Sequence, residues 1–173
     1  MEESALTTRK FFLTFGVLFG LFIIIFSLML YSADMQYESG AMVQSIQYGL
    51  LVAAIILGIY QFKKANIGSL SLKQGIKIGV GVAFIGSLIM VIYSYIFATY
   101  IEPEFLDNMF EIQKIKAMEA NPSLTLEQMD QGVAMQKKFA WVWYPSMVIL
   151  FTIFGLIIGL VAGLIMKKEK SAY

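Results

Sequence analysis

Four long stretches without a charged residue constrain the fold of this chain most strongly. They cover residues 11–33, 39–62, 78–101 and 139–166. A helix rises 1.5 Å per residue, so each stretch exceeds the roughly 20 residues that cross a hydrocarbon layer of about 30 Å. An open strand would leave backbone groups unpaired in lipid, so the stretches are predicted to be helices. The predicted fold is all-α: a polytopic membrane protein with four transmembrane helices in two antiparallel hairpins.

The composition agrees with a membrane location, because hydrophobic residues make up 58% of the chain and charged residues only 14%. In soluble proteins, hydrophobic residues average about 45–50% and charged residues about 25%. The first stretch could be read as a secretion signal, but its apolar core from Phe11 to Tyr31 is longer than the usual 7–15 residues of such a signal. The Tyr31-Ser-Ala sequence also places a bulky side chain where cleavage needs a small one. We therefore predict a retained helix.

The distribution of lysine and arginine predicts the orientation. Nine of the 13 basic residues lie in the N-terminal tail, in residues 63–77 and in the C-terminal tail, which contains Lys167, Lys168 and Lys170. Only four lie in the long connection 102–138. Because basic segments stay in the cytoplasm, both termini are predicted to be cytoplasmic. The lysines of residues 63–77 could also contact anionic lipid headgroups, although the orientation alone already requires positive charge there.

Residues 102–138 are predicted to form a helical extracytoplasmic loop. Pro103 suits the first position of a helix, and Asn121-Pro-Ser should end that helix. Thr125 and Gln128 have the spacing of a capping box, which predicts a second helix that continues without a break into the last span.

Five sequence features resemble a known family. They are Tyr93-Ser-Tyr-Ile-Phe97, Glu102-Pro-Glu-Phe105, Glu111-Ile-Gln113, Met135-Gln-Lys-Lys-Phe139 and the glycine-rich last span. On these features, residues 93–168 resemble the bacterial membrane proteins of domain-of-unknown-function family 4199, and the first two spans match in hydropathy and length. The resemblance implies a four-helix protein of the bacterial inner membrane, and it implies no activity.

The residue types that are absent exclude many chemistries. The chain has no cysteine and no histidine, which removes thiolate and imidazole metal ligands, thiol nucleophiles and the commonest general base. We therefore expect no enzyme activity, no metal and no cofactor. Glu102, Glu104 and Asp107 could hold a divalent cation, but acidic residues are also expected in the first turn of a helix. The net charge of +1 indicates no nucleic acid partner.

Small residues at a spacing of four predict close helix packing, because they let two backbones approach. The last span carries three such glycines, the third span carries a second ridge, and the first span carries a pair. The predicted packing residues are Gly155, Gly159, Gly163, Gly79, Ala83, Gly16 and Gly20. These ridges could serve the bundle itself, a membrane-protein partner or a homo-oligomer.

Polar side chains in the loop-side halves of the second and third spans form a second candidate site. Its predicted members are Gln44, Gln47, Tyr48, Tyr93 and Ser94. Gln47 and Ser94 should lie at a similar depth, about 10 Å below the interface. An amide alone in hydrocarbon would cost several kcal/mol, so these groups should either clamp two helices together by hydrogen bonds or form the floor of an outward-facing pocket.

Two functions from different classes fit these features. The first is a non-catalytic accessory or assembly subunit, suggested by the small-residue ridges, the structured loop and the missing catalytic residues. The second is a protein that binds a lipid or a small apolar molecule, or a passive carrier of such a molecule. No span contains a charged residue, which argues against an ion-coupled transporter.

Overall fold

The computed structural model describes residues 7–37 and 40–168. Ser39, the predicted start of the second span, and Lys170 lie outside them. The described residues form six α-helices and one π-helical turn, which joins the end of α3. In chain order these are α1 (Thr8–Ser32), α2 (Ala41–Ala65), α3 (Leu72–Ile96), the π turn (Phe97–Ile101), α4 (Phe105–Ala120), α5 (Leu126–Lys138) and α6 (Ala140–Met166).

Four helices are long and apolar enough to cross a membrane, as the sequence predicts. They are α1, α2, α6, and α3 together with the π turn, which contain 25, 25, 27 and 30 residues. The described part of the chain contains no named β-strand. The chain is therefore an all-helical, multi-pass membrane protein.

The third span begins earlier than predicted, at Leu72 instead of residue 78. The Ser71 side chain accepts a hydrogen bond from the backbone N–H of Gln74 at 3.3 Å, and the Gln74 side chain accepts one from the backbone N–H of Ser71 at 2.9 Å. This reciprocal cap starts the helix on the polar side of Lys73 and Lys77. The charge-free run predicts the part of the helix that lies in the hydrocarbon layer, whereas the cap determines where the helix itself begins.

Two predictions for residues 102–138 were wrong and two are confirmed. Pro103 precedes α4 instead of starting it, because Glu104 is the N-cap. The second loop helix does not continue into the last span: α5 ends at Lys138, and Phe139, with φ −105° and ψ 14°, separates it from α6. The break after Ala120 is confirmed. The capping box of Thr125 and Gln128 is also confirmed.

Helix α3 is the centre of the bundle. It packs most extensively against α6 and then against α1, while α2 packs against α1, α3 and α6. The fully buried core side chains lie mainly on α2 and α3, and they include Leu51, Ile55, Ile59, Ile78 and Val82. Large exposed apolar side chains cover the outward faces of the four long helices, as expected for surfaces that face lipid.

The two ends of the bundle differ in their connections. At the end where α2 and α6 finish, here called the basic end, Leu70 and Lys168 form two backbone hydrogen bonds of 2.8 and 3.0 Å. The Lys63 ammonium group also donates a hydrogen bond to the Met166 carbonyl at 2.8 Å. The opposite end, here called the loop end, carries the turn between α1 and α2 and the helices α4 and α5.

Candidate functional site

The predicted glycine ridges of α3 and α6 face one another. A Cβ atom on Gly79 would lie 2.6 Å from the Gly159 Cα atom, and one on Gly155 would lie 2.6 Å from the Gly79 carbonyl oxygen. Ala83 packs against Gly155, and a Cβ atom on Gly75 would lie 2.8 Å from the Gly163 Cα atom. No side chain fits between the two backbones at these positions.

The glycines of α1 also contact α3, where their nearest neighbours are isoleucine side chains. A Cβ atom on Gly16 would lie 2.8 Å from the Ile85 Cβ atom, and one on Gly20 would lie 2.8 Å from the Ile89 Cβ atom. Both small-residue interfaces are thus occupied within the chain. A partner protein or a second copy would have to use other residues.

The predicted polar cluster is divided in the structure. Gln47, Tyr93 and Ser94 line one cavity at the loop end, whereas Gln44 does not line it. Tyr48 points to α6, where its ring lies 5.2 Å from the ring of Phe154. Consecutive residues of a helix differ by about 100° in direction, so Tyr48 leaves the face that Gln47 occupies.

The cavity shared by Gln47, Tyr93 and Ser94, here called the loop-end cavity, has a volume of about 190 Å³. It lies between α1, α2 and α3, and the first residue of α4 covers part of it. Its other lining residues are Ser27, Leu30, Gln36, Val43, Phe97 and Phe105. The wall therefore combines amide and hydroxyl groups with aliphatic and aromatic side chains.

Three buried oxygen atoms at this end have no hydrogen-bond partner among the described residues. Two belong to residues that line the cavity, the Tyr93 hydroxyl and the Gln36 Oε1 atom; the third is the Glu102 Oε2 atom. A buried polar group without a partner costs about 1–3 kcal/mol. The cavity is consequently a place where an added donor or acceptor would be favourable.

A small hydrogen-bond network connects the turn after α1 to the end of the π turn. The Tyr37 hydroxyl donates to a Glu102 carboxylate oxygen and accepts a hydrogen bond of 3.0 Å from the Asn108 side-chain amide. The Tyr37 ring stacks on Phe105, with 5.5 Å between the ring centres. Burial, together with the neighbouring Glu102 carboxylate, raises the pKa of Tyr37 above its usual value.

Two of the three acids considered for a cation site, Glu102 and Asp107, are engaged in separate contacts. Glu102 accepts the hydrogen bond from Tyr37, and the Asp107 carboxylate lies 2.7 Å from the Lys137 ammonium group. Within the described residues, no group of three or more acidic side chains could hold a metal ion. The arrangement therefore gives no support to the cation site considered from the sequence.

Sequence reasoning missed several members of the cavity. Gln36 lies in the turn after α1, and Phe105 begins a helix outside the predicted spans, so neither belongs to a transmembrane pattern. Gly81 and Gly86 were missed at the α1–α3 interface, where they contact Phe12 and Phe19. The structure shows a π turn at Phe97–Ile101 beside the cavity, and π-helical turns often occur at functional sites. The sequence alone does not reveal this turn.

Comparison with known proteins gives one match. No curated protein and no solved structure matches the chain. A family model described as "Protein of unknown function (DUF4199)" matches residues 14–168, which include most of α1, all of the other three long helices and the loop between the last two. Because this match includes most of the chain, the protein belongs to the DUF4199 family.

Proposed function

We propose that the protein is a non-catalytic membrane protein that binds one end of a small amphipathic molecule in the loop-end cavity. The observation that carries the proposal is the pair of buried, unpartnered oxygen atoms of Tyr93 and Gln36 at this cavity. A ligand that donates a hydrogen bond to Gln36 and forms one with Tyr93 would remove their desolvation cost. Leu30 and Val43 would contact its apolar part.

The size of the cavity limits the ligand. About 190 Å³ is smaller than the roughly 300–1,000 Å³ of pockets that enclose a drug-sized molecule. About six water molecules occupy the same volume in liquid water. The cavity therefore suits a compact polar group whose apolar remainder extends between the helices, as the end of a lipid or a small apolar molecule with one polar group would.

The chemistry of the lining favours binding over conversion. Its polar groups are the amides of Gln36 and Gln47, the hydroxyls of Ser27 and Ser94 and the phenol of Tyr93. None of these is a base that could activate a serine at neutral pH. Hydrogen bonding without proton transfer is the interaction that such groups provide.

The test compares Gln47→Leu with Gln61→Leu, which changes an exposed glutamine at the other end of the same helix. Both proteins and the wild type would be purified from membranes in a mild detergent and analysed by native mass spectrometry. We expect one small-molecule or lipid adduct fewer on Gln47→Leu than on the wild type and on Gln61→Leu, at an unchanged unfolding temperature. If Gln47→Leu loses stability while its adduct remains, Gln47 is a clamp between helices and the proposal is wrong.

A second candidate function, the accessory subunit, has support from α4 and α5. The Lys114 side chain forms an ion pair with Asp130, and Lys137 forms one with Asp107, so the two helices are held together. Three large apolar side chains remain exposed on or beside this pair: Ile115, Leu126 and Met135, which are 55%, 61% and 65% accessible. Such side chains could contact another membrane protein.

Affinity purification in mild detergent tests the accessory role. A partner should co-purify with the wild type and be lost with Met135→Asp, while Gln131→Asp, a change at another exposed position of α5, should retain it. Equal recovery with both variants would argue against a role for this surface.

We further propose that the protein lies in the bacterial inner membrane with both termini in the cytoplasm. The charge distribution supports this orientation. Arg9 and the lysines at positions 63–77 and 167–168 lie at the basic end of the bundle, and basic residues favour the cytoplasmic side of the membrane. A reporter fused after Lys170 should then report the cytoplasm, and one inserted near Asn121 should report the far side. The reverse result at both positions would invert the proposed topology.

A further inference from the structure

A second and larger cavity lies at the basic end, between the first turns of α1 and α3. Its volume is about 580 Å³, which falls within the usual range of ligand sites. Three cationic side chains line it: Arg9 from α1, and Lys73 and Lys77 from α3. This cavity, here called the basic cavity, is distinct from the loop-end cavity in position and in chemistry.

The three cations of the basic cavity lack a counter-charge in the described chain. Among the described residues, no carboxylate oxygen lies within 4.0 Å of Arg9, Lys73 or Lys77, since the ion pairs there involve only Lys114 and Lys137. Like charges brought together repel one another unless an anion lies between them. The cavity is therefore complementary to a negatively charged group.

The requirements of membrane topology do not explain this convergence. The positive-inside preference needs a sufficient number of basic residues on one side, and Lys10 and Lys64 satisfy it while lying outside the cavity. Arg9 and the two α3 lysines are far apart in sequence, and only the packing of α1 on α3 places them around one volume.

The lining of the basic cavity also includes an aromatic side chain, that of Phe12. Lys73, Lys77 and Gly81 follow one another at intervals of four, so they lie on one face of α3. A Cβ atom on Gly81 would lie 2.7 Å from the Cβ atom of Phe12, so the absence of a side chain at Gly81 lets Phe12 lie against α3. Two cations near the helix start are thus followed by an aromatic ring deeper in the bundle.

We propose that the basic cavity binds the phosphate-bearing headgroup of an anionic phospholipid, with Phe12 contacting the beginning of its acyl chains. A free phosphate ion would leave most of about 580 Å³ unfilled and would not contact the aromatic ring. Basic cavities between transmembrane helices are a recurrent way of binding such headgroups. The hydroxyls of Thr7 and Thr8, which also line the cavity, add hydrogen-bonding groups for the phosphate or the glycerol.

The experiment measures binding of short-chain phosphatidylglycerol to the purified full-length protein in a non-ionic detergent, by calorimetry. Lys73→Gln/Lys77→Gln is compared with Lys10→Gln/Lys64→Gln, a control that removes the same charge from the same end. We expect about fivefold weaker binding for each cavity lysine removed, hence about 25-fold for the first pair, and little change for the control. Short-chain phosphatidylcholine and inorganic phosphate should bind much more weakly than phosphatidylglycerol.

Two results would overturn the proposal. Equal weakening by both pairs would indicate a diffuse charge effect, and equal affinity for inorganic phosphate and phosphatidylglycerol would indicate a site for a free anion. If the Lys73→Gln/Lys77→Gln protein does not fold, Arg9→Gln at the start of α1 provides the measurement. It should weaken phosphatidylglycerol binding by about fivefold, and unchanged binding would again contradict the site.

Discussion

The two halves of α3 pack against their neighbours in different ways. In the first half, Gly75, Gly79 and Ala83 bring the α3 backbone against the glycines of α6. In the second half, Tyr93 and Phe97 present large rings, and the helix continues as a π turn. The first half leaves no room for a side chain, whereas the second borders a cavity of about 190 Å³.

The difference shows how residue size determines where a membrane bundle leaves a cavity between its helices. Lipid does not drive helices together as water does, so tight association depends on van der Waals contact between close backbones. One turn after Ala83, the buried Ser87 hydroxyl donates a hydrogen bond to a local acceptor, the Phe84 carbonyl, at 2.9 Å. Where bulky rings hold the helices apart, the Tyr93 hydroxyl has no such partner in the described chain.

The largest expected effect would come from adding a side chain to the tight half. Gly79→Leu should destabilise the protein by more than about 3 kcal/mol, because overpacking alone costs about 1–3 kcal/mol and here the clash is with a backbone. Unfolding in detergent, followed by circular dichroism, measures the change. Ile157→Leu, at a lipid-facing position of α6 that is 49% accessible, is the control. Similar stability of both variants would mean that α3 and α6 are not in close contact.

A smaller effect of opposite sign is expected in the second half. Tyr93→Phe removes a buried oxygen that has no partner, so the ligand-free protein should become about 1 kcal/mol more stable. The same change should weaken retention of the adduct in native mass spectrometry. Tyr95→Phe, at the neighbouring and more exposed position, should alter neither property. A loss of stability in Tyr93→Phe would show that the hydroxyl is hydrogen-bonded, and the contrast between the two halves would be weaker than described.

The smallest effect concerns pH at the loop end. The folded-state pKa of Tyr37 is raised by burial and by Glu102, so its contribution to stability is complete below the unfolded value of 10.0 and decreases as the pH rises through the folded value. Thermal unfolding between pH 8 and 11 should therefore show a smaller alkaline loss for Tyr37→Phe than for the wild type. Parallel curves for the two proteins would contradict the raised folded-state pKa of Tyr37.

Features that depend on solvent and local chemistry could be predicted from the sequence. The four long helices follow from uninterrupted apolar runs, because a backbone in lipid must satisfy its own hydrogen bonds. The cap at Thr125 and the break after Ala120 follow from side chains that act within a few residues. The charge-free run does not predict the start of α3 at Leu72, because the cap at Ser71 begins the helix before the last charged residues of this segment.

Only the tertiary structure decided which faces meet. The sequence contains the glycine ridges, but the packing of whole helices determines their partners, and it brings together residues as far apart in sequence as Gly79 and Gly155. The same packing adds Gln36 and Phe105 to the loop-end cavity, separates Tyr48 from it, and collects Arg9 with Lys73 and Lys77 around the basic cavity. These groupings depend on distances between helix surfaces, and a periodic pattern along one helix carries no information about its distance from another.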